Sequence, residues 1–537
     1  MLIRKYVPLT VFILLVSLSF VILAAAGSMG QASNVGPGER FSTIQAAINA
    51  AQPGEEIYID SGTYYESLSI DKSIKLIGKG NGAPVIDSRG YRDAITISAP
   101  DVVIEGLEVR GGPNGIRVNA DRATIRDNHI HDSEIGVLVS GSQGCLIEEN
   151  EIDNNSRNGI EVNASSNNHI IKNKVLHNRN DGILVTMGSH SNEILENEVC
   201  NNGYNSVEGQ SCNAITVYLS DDNIVAGNTM THNGGTIGKD GKTYRLGDAV
   251  MLMETSGCTV KDNTMTDNHY AVWVYRSSGA TVENNCMDGH YYCMVVEDSS
   301  DSTIKDNRMS NGGRNARIDR SNNIRFIDNE LFDGIYALTM DGSTDCLIDG
   351  NILRNSKYEG IMLNGASGNT FRNNRIANNN YHSMSLYSSG GNTFYLNDFV
   401  NNRRPVNPEY ALSNSWNSPE PITYEYNDKQ FTGYTGNKWD DARTYDNDGD
   451  GISDSQYLIC EHNIDSYPLM GAHDEYRPPS RNDPVSVTET PDLSIPTITP
   501  PEPPSGKFKI DWSILKFPDI WLKRYIAFEV SRIVSSL

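Results

Sequence analysis

Carboxylates stand at alternating places in Asp446-x-Asp448-x-Asp450, followed by Gly451 and, three residues on, Asp454. Acids at every second residue, with glycine permitting a sharp turn, wrap oxygens around a hard cation. Ca²⁺ is the expected ion, in a structural role, because Mg²⁺ demands a tighter octahedral shell. A fully liganded loop of this kind ends on Glu at its twelfth place. Here that place is Tyr457, so another group or water must complete the shell.

A second set of chemistry-bearing residues is spread between 200 and 320. Tyr204, Tyr218, Tyr244, Trp273 and Tyr275 offer rings, and Arg245, Glu297, Arg317 and Asp319 offer charge. Sugar C–H faces stack on aromatic rings, while hydroxyls pair with charged groups, so this is an oligosaccharide-binding combination. Two catalytic readings compete. A uronate lyase needs a base and a cation that neutralises the substrate carboxylate, for which His290 and Arg317 qualify by type. A glycosidase needs two carboxylates at fixed separation, for which Glu297 and Asp319 qualify. Polygalacturonase signatures are absent. The expectation is therefore non-catalytic binding of a carbohydrate or envelope polymer, with polysaccharide lyase or glycoside hydrolase as the alternative. A purely structural envelope component is a third reading.

What must position these residues is a repeat. Thr259-Val-Lys-Asp-Asn263, Thr281-Val-Glu-Asn-Asn285 and Thr303-Ile-Lys-Asp-Asn307 align on their last Asn. The marker recurs at Asn128, Asn150, Asn173, Asn197, Asn228, Asn263, Asn285, Asn307, Asn329, Asn351, Asn374 and Asn397, with Gly106 read as its counterpart one repeat earlier. Most spacings are 22 to 24 residues; two neighbouring ones are 31 and 35. Apolar residues stand three before and two after each marker. That odd step stops one straight strand from sending both inward, so the marker is expected at a bend, in the left-handed conformation that Asn and Gly tolerate. Three short strands and bends per 22 residues describe an all-β fold, a right-handed parallel β-helix, with the Asn side chains stacked as an internal ladder.

The β-helix is expected over 40–401. Ser42-Thr-Ile-Gln45 reads as a capping box opening a helix from Thr43 to Ala51 that covers the first coil. Residues 402–475 lose the repeat and read as a C-terminal cap carrying the acidic loop. The two long spacings place extra loops at about 203–211 and 234–247, stacked in neighbouring coils, where sites are usually built.

The opening segment Thr43–Ala51, with Pro53-Gly-Glu-Glu-Ile-Tyr and Gly62-Thr-Tyr-Tyr-Glu66, resembles right-handed β-helix repeat proteins of the carbohydrate-binding and sugar-hydrolase type. The stretch Pro421–Asn427, Phe431–Trp439, Asp446–Asp454 and Asp465–Leu469 is similar to the C-terminal part of NosD-like proteins, often labelled periplasmic copper-binding and common among archaeal surface proteins. The acidic loop itself resembles calcium loops of dockerin-like and thrombospondin-like repeats. The resemblance implies the fold. It carries no copper-site motif, and most Met residues fall at packing positions, so copper is not expected.

The ends of the chain and its charge bound where it works. Arg4 and Lys5 precede an apolar run from Val7 to Ala26, so 1–27 reads as an export signal or an N-terminal anchor. Residues 476–506 are a Pro-rich linker, and 507–537 a basic amphipathic tail suited to a membrane surface or a partner. A formal charge of −24 over 537 residues disfavours a nucleic-acid partner. An extracellular, cell-surface or envelope location follows. Eight cysteines suit export, and Cys200 with Cys212, and Cys286 with Cys293, are the expected disulfides.

Overall fold

The computed structural model describes residues 33–203, 212–237, 243–245 and 247–478; for 236, 237 and 243–245 the description is of backbone alone. The segment 1–27, residues 479–506 of the linker and the tail 507–537 lie outside the described residues.

Each coil contributes three short strands, and like strands of successive coils pair in parallel. Among the described residues the three sheets hold 16, 14 and 16 strands. The apolar positions do what the spacing requires. Val260, Val282 and Ile304 before the markers, and Met265, Met287 and Met309 after them, are all fully buried in one continuous core. Burial of each such side chain is worth about 2 kcal/mol, which lets a core one side chain deep hold each coil.

The bend between those positions differs from expectation in one respect. The residue in the left-handed conformation is the one before the marker: Asp262, Asn284, Asp306 and Asp328 have φ between 52° and 56°. The marker itself points inward. Each marker Nδ2 donates to the Oδ1 of the next at 2.8–3.1 Å, from Asn128 through Asn397 to Asn437. Pairing of His129 with Glu108 puts Leu107, not Gly106, in the marker's register, and the Leu107 N–H donates to Asn128 Oδ1. Gly106, with φ 70°, instead takes the left-handed place. A second ladder runs Asn155, Asn178, Asn202, Asn233 and Asn268.

At the N-terminal end a helix spans Ile44–Ala50 and buries Ile44, Ala47 and Ile48. The expected capping box does not form. Thr43 makes no side-chain cap, and Gln45 instead bonds Ser69 and Asn49. The Glu66 carboxylate accepts from the Ile44 and Gln45 N–H groups at 2.8 and 2.9 Å. A carboxylate from the first coil thus satisfies donors that a local side chain would ordinarily serve.

The second long spacing forms an antiparallel hairpin, Gly235–Ile237 with Thr243–Arg245. The bases of the two excursions are stacked, since Gly203, Cys212, Gly234 and Gly247 lie against one another. No disulfide joins the eight cysteines. Cys286 faces out from one strand, whereas Cys293 points inward from the next, with its Sγ 3.5 Å from the Ser310 carbonyl, so the expected pair is kept apart. Cys200 lies against Thr231 Oγ1 at 3.2 Å on the neighbouring coil.

Chain contacts divide the molecule into a large unit ending at Ile422 and resuming over Gly433–Asp474, and a small unit of Thr423–Thr432 with the segment from Glu475 on. Within the small unit Glu425 and Arg477 exchange backbone hydrogen bonds, and Tyr426 stacks on Tyr476.

Candidate functional site

The outward residues of the 14-stranded sheet form columns. Met251, Trp273, Val295 and Arg317 are in register in one; Met253, Tyr275, Glu297, Asp319 and Asp341 in the next. Alternation is as expected, but exposure is not. Trp273 is 7% exposed and Val295 2%. Met251, Met253, Tyr270, Trp273, Tyr292 and Val295 form a second apolar cluster outside the coil, rimmed by Tyr218, Tyr275 and Tyr291. Tyr270 stacks on Tyr292 at 5.2 Å and meets Trp273 edge-on at 5.5 Å. Large rings on adjacent rungs cover one another, and the rim is covered in turn: His269 stacks on Tyr291 at 5.3 Å and Arg276 lies over Tyr275 at 4.9 Å. Tyr204 lies outside the described residues. Tyr244 and Arg245 fall on the hairpin's second strand, and their side chains are outside the description.

Glu297 and Asp319 are brought together on adjacent coils, and both are 3% exposed. Arg320 clamps them: its Nη2 lies 2.7 Å from Glu297 Oε1 and its Nη1 2.6 Å from Asp319 Oδ2. Arg317 adds a 2.8 Å contact to Asp319 Oδ2. Burial pushes both carboxyls up, and the guanidinium groups pull them back. Glu297 Oε2 is buried without a hydrogen-bond partner. His290 is not at this surface. It takes an asparagine's place at the end of the second ladder, 1% exposed, with Nδ1 facing the Asn268 N–H at 3.2 Å and Nε2 facing the Met265 carbonyl at 3.0 Å. Burial lowers its pKa, so it packs as neutral imidazole.

Toward the N-terminus the same sheet carries a polar cluster that spacing alone did not reveal. The Asn213 N–H donates to Asp181 at 2.7 Å, the Asp248 N–H donates to Asn213 Oδ1 at 2.8 Å, and Asn158 donates to Glu161 at 2.9 Å. His269 Nδ1 lies 3.4 Å from Asp248, which is fully buried. Burial pushes the Asp181 carboxyl up to about 7. The usable sequence signal was an acid or amide recurring once per coil just before the strand.

An open row of rings runs along that same bend. Arg314 sits between Tyr292 and Tyr336, 5.3 Å from each ring, and donates to the Tyr292 hydroxyl at 2.6 Å. Tyr336 stacks on Tyr358 at 5.4 Å, Tyr358 meets Tyr381 edge-on at 6.5 Å, and Arg404 lies over Tyr381 at 4.6 Å. Tyr358 is 43% exposed. Alternation along the strand misses this row: Tyr336 opens its strand, whereas Tyr358 and Tyr381 precede the strands that begin at Ile361 and Met384.

In the acidic loop, ligand oxygens of Asp446, Asp448 and Asp450 lie within 4.8 Å of one another. Gly449 and Gly451, at φ 74° and 87°, allow the turn, and their N–H groups donate to Asp446. Asp454 is turned aside and accepts from Asn447 at 2.8 and 2.9 Å. Burial, then the neighbouring Asp448 and Asp446, push the Asp450 carboxyl up, whereas N–H donors outweigh burial at Asp446 and hold it down. Like charges gathered this way suit a divalent cation held by three carboxylates.

Comparison with known proteins agrees with the architecture. Residues 68–230 match the family described as right handed beta helix region, and 226–444 match periplasmic copper-binding protein (NosD). This chain is a right-handed parallel β-helix repeat protein, similar over 226–444 to NosD. It is 28% identical over 281 residues to a cell surface glycoprotein of Methanothermus fervidus, covering 44% of this chain and 45% of that one. It is 29% identical over 140 residues to a probable ABC transporter binding protein NosD of Stutzerimonas stutzeri, covering 23% and 31%. The β-helix protein therefore spans less than half the length of these relatives. Among solved structures it is similar to the A-module of Azotobacter vinelandii mannuronan C-5 epimerase AlgE4 (15% identity, 64% and 92% coverage, TM-score 0.37) and to pectate lyase Pel9A (16%, 52% and 79%, 0.33).

Proposed function

We propose that this β-helix works outside the cytoplasm, at the cell surface or in the envelope, and binds carbohydrate or envelope polymer without transforming it. The observation that carries the reading is the row Arg314, Tyr336, Tyr358, Tyr381 and Arg404. It places one ring or guanidinium per coil, successive members 4.6–6.5 Å apart, along one side of the coils. Such a row offers flat faces to sugar C–H groups and donors to hydroxyls or acidic groups. Likeness to a cell surface glycoprotein supports the location. Ca²⁺ held by Asp446, Asp448 and Asp450 is proposed as a structural ion, and the tail 507–537 as a contact to a membrane surface.

Non-catalytic binding is favoured because the two carboxylates that the sequence offers as a catalytic pair, Glu297 and Asp319, are tied to Arg320 and Arg317. A clamped carboxylate is poorly placed to exchange a proton with substrate. Asp181, whose carboxyl burial pushes up to about 7 within the polar cluster, supports the second reading, a lyase or hydrolase acting there.

A glycan array and an envelope pull-down test both readings, paired with reducing-end and unsaturated-product assays. Retention of a glycan that falls at least tenfold in Tyr358→Ala and Tyr381→Ala, with unchanged melting temperature, supports the binding row. Product formation abolished by Asp181→Asn replaces it with the catalytic reading. Absence of both binding and product removes both.

A further inference from the structure

A different face carries a second constellation. On the outer side of a 16-stranded sheet, the strand His129–His131 lies between Glu108–Arg110 and Glu151–Asp153. Residues i and i+2 of a strand share a face, so His129 and His131 point out together. Their rings lean against each other at 4.3 Å. His131 Nε2 is 3.3 Å from Glu108 Oε1, and His131 Nδ1 is 2.8 Å from Asp132 Oδ2. His129 Nε2 is 2.8 Å from Asp153 Oδ1. Ligand atoms of Glu108, His129 and His131 lie within 4.8 Å of one another, as do those of His129, Glu151 and Asp153.

We propose that Glu108, His129 and His131 form a binding site for a divalent transition-metal ion of the Zn²⁺ class, with Asp153 or water completing the shell. The chemistry of the set selects the ion: two imidazoles and a carboxylate suit Zn²⁺, whereas Ca²⁺ takes oxygen alone. The geometry fits as well. Ligands about 2.0 Å from a tetrahedral ion stand about 3.3 Å apart, the separation of His131 Nε2 and Glu108 Oε1. Asp132 holds the other nitrogen of His131, the carboxylate–histidine arrangement that fixes the tautomer and leaves Nε2 free to ligate. Arg110, the cation 3.6 Å from Glu108, is held by Asp87 at 3.1 Å, so Glu108 can serve the metal. An open groove of ≈ 630 Å³ reaches His129 and Glu151 and gives the ion access. The site ties two or three successive coils through one ion, and its residues lie outside the NosD-matching stretch 226–444.

The test uses the full chain, purified without a histidine tag and stripped with chelator. Calorimetry with Zn²⁺ should show one tight equivalent, and Co²⁺ should give a visible d–d band of a four-coordinate nitrogen–oxygen site. His131→Ala and Glu108→Gln should each weaken Zn²⁺ at least tenfold, and Asp448→Ala should leave it unchanged. Absence of tight Zn²⁺ binding, or affinity that survives His131→Ala together with His129→Ala, overturns the proposal. The readouts are independent of glycan retention, so either idea can fail alone.

Discussion

Arg320 and Asp319, neighbours in sequence, meet at 2.6 Å across the end of a strand, with Arg320 half exposed and Asp319 buried. The same guanidinium reaches Glu297 and Asp298 on the preceding coil. One solvated cation therefore neutralises two carboxylates that water barely touches. Arg320→Ala should destabilise the protein by about 3 kcal/mol, the cost of leaving buried charges unpaired. Denaturant melts at neutral pH measure the loss. It should shrink in acid as the two carboxyls protonate, and Glu297→Gln with Asp319→Asn should restore most of it. Equal loss at every pH would show that Arg320 acts through packing.

Asp181 gives a pH dependence of definite sign. Its folded pKa of about 7 stands above the ordinary 3.8, so the native state holds the proton more tightly than the unfolded chain. Its contribution to stability is greatest below the unfolded value and declines as pH rises to about 7. Asp465, pushed up to about 6 by burial, acts in the same direction. Buried neutral His290 acts oppositely as pH falls below 6.5, so the difference between wild type and Asp181→Asn isolates the effect. That difference should change steadily between about pH 4 and 7 in denaturant melts; a flat difference contradicts the assignment.

The bend chemistry separates two adjacent asparagines. Asn285 accepts from the Asn263 N–H and Nδ2 and donates to the Val260 and Glu283 carbonyls and to Asn307. Asn285→Ala should cost about 3 kcal/mol, because several buried groups lose partners at once. Asn284 has φ 55° and is exposed. Asn284→Gly should change stability by a few tenths of a kcal/mol at most. Thermal melts of the two variants check the contrast.

The acidic loop yields a cation dependence. In the His131→Ala protein, which lacks the proposed Zn²⁺ site, EDTA should lower the melting temperature by several degrees, Ca²⁺ should restore it, and Asp448→Ala should abolish the response. An unchanged melting temperature in EDTA would remove Ca²⁺ from this loop.

The fold was legible because a coil leaves a mark every 22 residues: inward apolar pairs and an amide whose every hydrogen bond is used. The register was less legible. Gly106 and Asn128 look equivalent, yet one supplies a left-handed bend and the other an inward amide, and both residue types tolerate bends. The candidate surface was half legible. Alternation correctly sent Trp273 and Glu297 outward, but it says nothing about whether Met251, Tyr270 and Tyr292 close over a ring. His290 misled because imidazole, with a donor and an acceptor, substitutes for an asparagine in a ladder, and its type alone suggested chemistry. Glu66 was invisible as a helix cap because its partner lies a coil away.

The amide ladder has a direction. From marker to marker the N–H and Nδ2 give toward the C-terminus, and the last member, Asn437, gives its N–H and Nδ2 to Asp465. An ionised carboxylate has nothing to donate onward, so the row stops there. A chain cut after 401 would end on an Asn397 with unmet donors above three unpaired strand edges. Such an end is a template for another copy, so the truncated protein should assemble into filaments.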